Sequence, residues 1–273
     1  MLKKSVISLI SYDAEYLPDS IKSYYDYVDE IVLGLDEDRI TWSGNKFSFD
    51  EGNLYKSLRA IDVDNKISIV EHNFHHSKVA LENDNFERNY LKAQCSNDWI
   101  FSVDADEVLI NPKDFFLKFL PLVERYHNSV DLLFTWFLPY KEFDDSYLVI
   151  ANNDGTWFRG DTQGFVTHKD NEFTYCRWTN NKKHLMSPLA VLHWSFCRNE
   201  AKLNQKLNNF GHSDKTANDP FFHNWKIVNL ENYHMLRNFK TSGYGANQWE
   251  KLLKVSKSDF SNAAMQEARR VYP

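Results

Sequence analysis

The chain has 273 residues, 42% hydrophobic and 26% charged, with a net charge of −6. This is ordinary globular usage over enough chain to bury a large core, which excludes global disorder. The negative balance argues against a nucleic acid partner, whose phosphates select basic faces. Cys95, Cys176 and Cys197 are odd in number and widely spaced, so they offer neither a disulfide framework nor a zinc motif and point to a reducing, cytoplasmic setting. Aromatic residues are abundant, with 8 Trp, 14 Tyr and 20 Phe at a mean hydropathy of −0.56. Most such rings fill a core, and those with wet polar edges suit surfaces that stack on sugars or bases.

The first ten residues carry two lysines before an apolar run that ends at Ser11-Tyr12-Asp13, too early for a signal-peptide core. They read as a strand over residues 5–11. Pro18 suits the first turn of a helix that continues through Ile21, Tyr24 and Tyr25. Residues 30–35 and 66–71 read as the second and third strands, 85–95 as a helix and 99–103 as a fourth strand. This βαβ alternation implies a mainly parallel sheet with right-handed crossovers. A helix over 112–126 follows, then strand-like runs at 132–137, 147–150, 165–168 and 191–196 between polar loops. From Glu200 the pattern turns helical, with Leu203, Leu207 and Phe210 in one segment and Trp249, Leu252, Leu253 and Phe260 in the last. The longest apolar stretch, residues 132–140, contains Pro139 and is too short to span a bilayer. Lys251, Lys254, Lys257, Arg269 and Arg270 allow peripheral contact with an anionic membrane, but the interspersed Glu250, Asp259 and Glu267 favour a packed helix with a solvated face.

The run Trp99-Ile100-Phe101-Ser102-Val103-Asp104-Ala105-Asp106-Glu107 sets three acidic residues directly after a buried strand. The crevice beyond the carboxyl ends of such strands is where α/β sheets bind ligands. Two carboxylates one residue apart present hard oxygen ligands to Mg²⁺ or Mn²⁺, and such an ion also holds nucleotide phosphates. A solvated acidic turn is the plain reading of an isolated Asp-x-Asp. The apolar run before it and the Glu after it favour a site.

Phe86-Glu87-Arg88-Asn89, followed by the stretch from Ser96-Asn97-Asp98 to Glu107, resembles the core of family 2-type glycosyltransferases. Val28-Asp29-Glu30-Ile31-Val32-Leu33-Gly34-Leu35-Asp36 is similar to the same family's second strand. That family continues with a Gly-Ser-Thr-Asp turn where this chain has Glu37-Asp38-Arg39-Ile40-Thr41-Trp42, which leaves the donor open. A looser likeness in Trp157-Phe158-Arg159-Gly160, Val166-Thr167-His168 and Leu192-His193-Trp194-Ser195 extends it over about residues 5 to 215. The resemblance implies a GT-A fold, a Rossmann-like mixed, mainly parallel α/β sheet flanked by helices, with C-terminal helices. It implies a nucleotide-sugar-binding half over residues 1–110, an acceptor-binding half over 111–215, both in a single domain, and a C-terminal helical segment over 216–273. The activity implied is that of a hexosyltransferase of polysaccharide biosynthesis. Such an enzyme moves a sugar from a nucleotide diphosphate sugar, UDP-linked by family likeness, to a saccharide or glycoconjugate acceptor, with metal dependence and inversion.

On this resemblance Asp106 is the first ligand to Mn²⁺ or Mg²⁺, and Asp104 reaches the donor ribose or shares the ion. His193 fits the place of a further metal ligand, which would favour Mn²⁺. A buried His bonded to backbone is the alternative, and His212 is a rival ligand. Ser11, Asp36 and Arg88 complete the donor contacts, with Asp36 at the base. An inverting transfer needs a general base, and Asp161 in the polar loop Arg159-Gly160-Asp161-Thr162-Gln163-Gly164 is the candidate, with Asp144, Asp145 and Glu107 competing. His72-Asn73-Phe74-His75-His76 reads as a polar loop ahead of a metal cluster. A second class is the haloacid dehalogenase-type phosphatase, with Asp104 as nucleophile, Asp106 as general acid, Thr135 on the phosphate and Asp144-Asp145 on Mg²⁺. Its motif normally lies on a first strand, whereas three βα signals precede it here. A non-catalytic sugar-binding relative is the third reading.

Overall fold

The computed structural model describes residues 2–158, 162–211, 220–239 and 249–271. Four parallel strands form its first half: β1 (Lys4–Ile10), β2 (Glu30–Asp36), β3 (Ile67–His72) and β4 (Trp99–Ser102). β1 and β2 are buried along nearly their whole length because helices cover both faces. Val6 and Ile10 of β1 point into one core with Ile31, Leu33 and Leu35 of β2, while Ile7 and Leu9 join Val32, Phe74 and Leu91 on the other side. The helices are α1 (Leu17–Lys22), α2 (Glu51–Ile61) and α3 (Ala80–Gln94). Pro18 stands in the first turn of α1, and the Asp50 side chain caps α2 by accepting from the Asn53 N–H.

The chain then adds β5 (Glu107–Leu109), β6 (Asp131–Phe137), β9 (Thr162–His168) and β12 (His184–His193) to the same sheet, in the order β3-β2-β1-β4-β9-β6-β12-β5. Four of the seven pairings are parallel and three antiparallel, so the sheet is mixed and mainly parallel. This is the mixed, mainly parallel α/β sheet flanked by helices expected from the sequence. Strand order reverses at β1, whose neighbours β2 and β4 lie on opposite sides. Their carboxyl ends therefore open a crevice there.

The stretch expected as one helix over 112–126, here α4, is irregular. A π-helical turn, Phe115–Phe119, interrupts it before Pro121, and a 3₁₀ turn, Glu124–Tyr126, ends it. Proline lacks the N–H that a regular helix would use, and the altered turn absorbs it.

A second core lies beside the sheet. It gathers β7 (Pro139–Glu142), β8 (Ser146–Ala151), α5 (Glu200–Asn209) and α6 (Pro220–Ile227) around Tyr140, Leu203, Phe221, Trp225 and Trp249. One sequence expectation is corrected here. Trp249, Leu252 and Leu253 are not helical: β13 (Lys251–Ser256) is a strand paired antiparallel with β8 in a three-stranded sheet. Only α7 (Phe260–Val271) is helical in that part. Its Phe260, Ala264 and Ala268, one turn apart, pack against Ala190 and Leu192 of β12. The apolar face that a membrane would need is thus already buried. Among the described residues no helix is long and apolar enough to cross a membrane.

Candidate active site

The crevice at the ends of β1, β2 and β4 contains a cavity of about 390 Å³. Ser11, Asp36, Arg88, Asp104, Asp106 and His193 all line it, so the structure brings these expected site residues together. Asp161 and His212 lie outside the described residues.

The acidic turn is built by its own Glu107. That residue is fully buried, and its Oε2 accepts from the Asp104 N–H at 3.0 Å while its Oε1 accepts from Trp136 Nε1 at 2.5 Å. The Glu107 N–H in turn donates to the Asp104 carbonyl at 3.1 Å. Glu107 therefore shapes the turn, and its oxygens are committed, which removes it as a base. Asp144 and Asp145 are exposed near the β7–β8 turn, where Asp145 faces Lys254 at 3.7 Å, and neither lines the cavity.

Asp104 is held from two sides. Arg88 Nη2 meets Oδ1 at 2.9 Å and Arg177 Nη2 meets Oδ2 at 2.6 Å. Burial pushes the Asp104 carboxyl up, but Arg177 and Arg88 outweigh it and hold the group well below the usual carboxylate range. Arg88 comes from α3 and also bonds Asp84 Oδ1 at 2.6 Å and Ser102 Oγ at 2.7 Å. Arg177 comes from the turn of a hairpin, β10 (Phe173–Tyr175) and β11 (Trp178–Thr179), and its other carboxylate is Glu107 at 2.7 Å. Gly164 of β9 admits that turn, since a Cβ there would stand 2.3 Å from the Arg177 carbonyl oxygen.

Asp106, 3% exposed, has a different set of partners. Its Oδ2 accepts from Arg198 Nη2 and, at 2.5 Å, from Lys206 Nζ. Its Oδ1 lies 3.5 Å from His193 Nε2. Burial again pushes the carboxyl up, and Lys206, His193 and Arg198 together bring it far below its ordinary value. The pairing of β5 with β12 sets His193 opposite Glu107, and the Trp194 N–H donates to the Asp106 carbonyl at 2.9 Å. The His193 ring lies 4.3 Å from that of Trp136, and its buried Nδ1 has no hydrogen-bond partner among the described residues. Trp194 turns the other way, against Tyr147 and Phe260.

Asp36 reaches the cavity wall, yet its oxygens accept from three backbone N–H groups, of Asp38 (3.0 Å), Ile40 (2.9 Å) and Phe74 (2.8 Å). These bonds order the loop after β2. A buried neighbour is Glu87, whose Oε2 accepts from Trp42 Nε1 at 2.7 Å. Burial pushes Glu87 up to about 8 against the Trp42 N–H, with Asp84 and Asp36 adding to the rise. Gly34 makes room for it, since a Cβ there would lie 2.6 Å from Glu87 Oε1. His72 stacks on Tyr90 at 4.2 Å and His75 Nδ1 is 3.0 Å from Asn83 Nδ2, so the histidine-rich loop is structural.

Sequence reading missed Arg177, Arg198 and Lys206. Lys206 left one signal: it shares the buried face of α5 with Leu203 and Asn209, at three-residue spacing, where a lysine needs a buried partner. Gly164 within a strand was a second, marking close backbone approach.

No protein-family model matches the chain. No curated protein matches it. Among solved structures, S. aureus TarS 1-349 aligns at a TM-score of 0.40 and 12% identity, over 85% of this chain and 77% of that one. TarS 1-349 in complex with UDP aligns at 0.33 and 14%, over 52% of this chain and 37% of that one. Glucosyl-3-phosphoglycerate synthase from Mycobacterium tuberculosis, in complex with Mn²⁺, UDP and glucosyl-3-phosphoglycerate, aligns at 0.32 and 16%, over 50% and 44%. The match thus spans less than half the length of each of these last two proteins. Likeness of this order carries no information on substrate.

Proposed function

We propose that the protein is a glycosyltransferase that moves a sugar from a nucleotide diphosphate sugar, with UDP the favoured carrier, to a saccharide or glycoconjugate acceptor. The observation that carries this reading is the Asp104-Ala105-Asp106 turn at the strand-order reversal, lining a cavity of about 390 Å³ together with Trp42, Trp136 and Trp178. That volume suits a ligand of nucleotide size, and the rings offer stacking faces for a base or sugar.

The donor set supports a divalent ion. Two ligands about 2.1 Å from one ion lie roughly 3.0 to 3.5 Å apart when they subtend between a right angle and a tetrahedral one. Asp106 Oδ1 and His193 Nε2 are 3.5 Å apart. Among the described residues no group of three or more His, Cys, Asp or Glu forms a full metal cage. An ion with two protein ligands leaves its other positions to water and phosphate oxygens, as Mg²⁺-nucleotide sites do. Charge balance points the same way. Arg88, Arg177, Arg198 and Lys206 already face Asp13, Asp84, Asp104, Asp106 and Glu107, so a diphosphate would meet no surplus cation among these described residues. When bound, Mn²⁺ or Mg²⁺ would neutralise the leaving diphosphate as a Lewis acid.

The chain's own residues would do the rest. Asp106 and His193 would hold the ion, Ser11, Asp36 and Arg88 would form the donor wall, and Asp104 would reach the ribose. Asp161 keeps the role of base for an inverting transfer on the sequence argument. The phosphatase reading is not favoured, since both Asp104 oxygens are bound to arginines and Asp144-Asp145 lie away from the cavity. The test is hydrolysis of, and transfer from, a panel of nucleotide sugars, with and without Mn²⁺, alongside thermal shift with nucleoside diphosphates. Mn²⁺-dependent turnover of a UDP-sugar is expected. No nucleotide-induced stabilisation and no turnover of any donor would overturn the reading.

A further inference from the structure

Arg198 and Lys206 share one oxygen of Asp106 but are held unequally. Arg198 is anchored three more times: Nε donates to the Trp194 carbonyl at 3.2 Å, Nη2 to Asp13 Oδ2 at 3.0 Å, and its guanidinium lies 4.8 Å from the Tyr16 ring centre. Lys206 Nζ makes a single ion pair among the described residues, to Asp106. Its side chain is a flexible stem with a compact charge, so breaking one contact frees it to move. Its position on Asp106 also conflicts with an ion on the same carboxylate. A cation bound at Oδ1 would stand within a few ångströms of the ammonium on Oδ2, on a residue that is itself buried, where water screens little.

We propose that Lys206 is a removable counter-ion: its ammonium holds Asp106 in the ligand-free protein and passes to the diphosphate when ion and nucleotide enter together. This rests on the glycosyltransferase reading and deepens it. The ion alone would meet the Lys206 ammonium, which pairs with no second anion among the described residues and needs another place for its charge. The nucleotide supplies that place, so each ligand strengthens the other's binding, and the coupling is reciprocal. Arg198 stays on Asp106 throughout and keeps the carboxylate in position.

The test measures Mn²⁺ binding by the full chain, by electron paramagnetic resonance or calorimetry, without nucleotide and then with UDP. Wild type should bind Mn²⁺ alone weakly and bind it much more tightly with UDP. Lys206→Met, which retains the aliphatic stem, should bind Mn²⁺ alone on the order of tenfold more tightly, with the UDP enhancement reduced by a similar factor. Lys206→Gln should behave like the Met variant, and Lys206→Arg should keep the weak binding of Mn²⁺ alone. Equal Mn²⁺ affinity without UDP in wild type and both neutral variants would overturn the counter-ion role. So would Mn²⁺ binding to wild type that UDP does not change. UDP failing to bind wild type at all, with Mn²⁺ present, would overturn the glycosyltransferase reading itself, and the two failures are separable because only the second removes nucleotide binding.

Discussion

The two aspartates of the acidic turn stand two residues apart and are secured by different parts of the chain. Asp104 is clamped by Arg88 and Arg177, and each arginine is itself fixed: Arg88 by Asp84 and Ser102, Arg177 by Glu107 and by its turn packed over Gly164. All of these groups sit on the sheet, on α3 or on the β10–β11 hairpin. Asp106 depends instead on residues after the last strand of the sheet, Arg198 and Lys206, and on His193 at 3.5 Å. One side is a closed frame. The other holds its carboxylate with at least one partner that can leave, and that is the difference expected between a group that shapes a site and one that changes ligands.

The largest effect should come from breaking the frame. Arg177→Met leaves the buried carboxylate of Glu107 and the half-buried one of Asp104 without their shared cation, and losing one member of such a cluster costs roughly 3–5 kcal/mol. Urea unfolding should show that loss, whereas Lys206→Met should lose about 1 kcal/mol, because Arg198 still meets Asp106. Equal losses in the two variants would erase the distinction between frame and exchangeable side.

Asp106→Asn tests the exchangeable side through activity. Removing the ligand charge should lower metal-dependent turnover on the order of 10²–10³-fold, the scale of losing one strong electrostatic contact in a transition state. From the sequence alone this change looks harmless to folding, since it conserves volume. The structure corrects that, because the amide would leave Lys206 without its carboxylate and Arg198 with Asp13 alone. A stability loss of about 1–3 kcal/mol should accompany the lost activity. Full turnover with an intact Mn²⁺ response would remove Asp106 from the site.

What was legible in the sequence follows from where the information lies. β1, β2 and β4 announced themselves because strands covered on both faces are continuous apolar runs, and the acidic turn followed the last of them directly. The cations could not be read in the same way. Arg177 and Lys206 are respectively 73 and 100 residues beyond the aspartates they meet, and nothing local to Tyr175-Cys176-Arg177-Trp178 says that the turn lies over Gly164. The segment around Leu252-Leu253 failed for a related reason. A short apolar pair fits helix and strand alike, and only its pairing with β8, a hundred residues away, settles it as a strand.

Glu87 extends the comparison to the far wall of the cavity, where a carboxyl makes no ion pair among the described residues and feels Arg88 only at a distance. In the folded protein its pKa stands at about 8, raised by burial, whereas the unfolded chain releases the proton in the ordinary carboxyl range. A raised carboxyl pKa favours the folded state at low pH. Its contribution is therefore whole below the unfolded value, declines as pH rises toward 8, and is gone above that. Glu87→Gln keeps an acceptor for Trp42 Nε1 and cannot ionise. It should raise stability at pH 9 by on the order of 2 kcal/mol and leave it nearly unchanged at pH 5, as thermal melts across that range would show. A benefit of the same size at both pH values would mean that Glu87 stays ionised when buried.

The smallest effect concerns what keeps Lys206 over the site. Asn209, one turn further along α5, has an Oδ1 that accepts from Thr41 Oγ1 at 2.9 Å and from Asn45 Nδ2 at 3.0 Å, which ties the helix to the loop after β2. Asp36 shapes that same loop with its three backbone bonds, so this tie spans the cavity from its donor wall to the helix bearing the exchangeable cation. Asn209→Ala should cost about 1 kcal/mol of stability, the net worth of buried hydrogen bonds lost. Its informative consequence is in binding. With the tie gone, α5 and the loop no longer hold one spacing, so UDP affinity in the presence of Mn²⁺ should fall severalfold. The Asp104 frame, which makes no bond to α5, should keep its resistance to urea. If nucleotide affinity is untouched while stability falls, the tie serves folding alone and the spacing of α5 is set by the second core around Leu203.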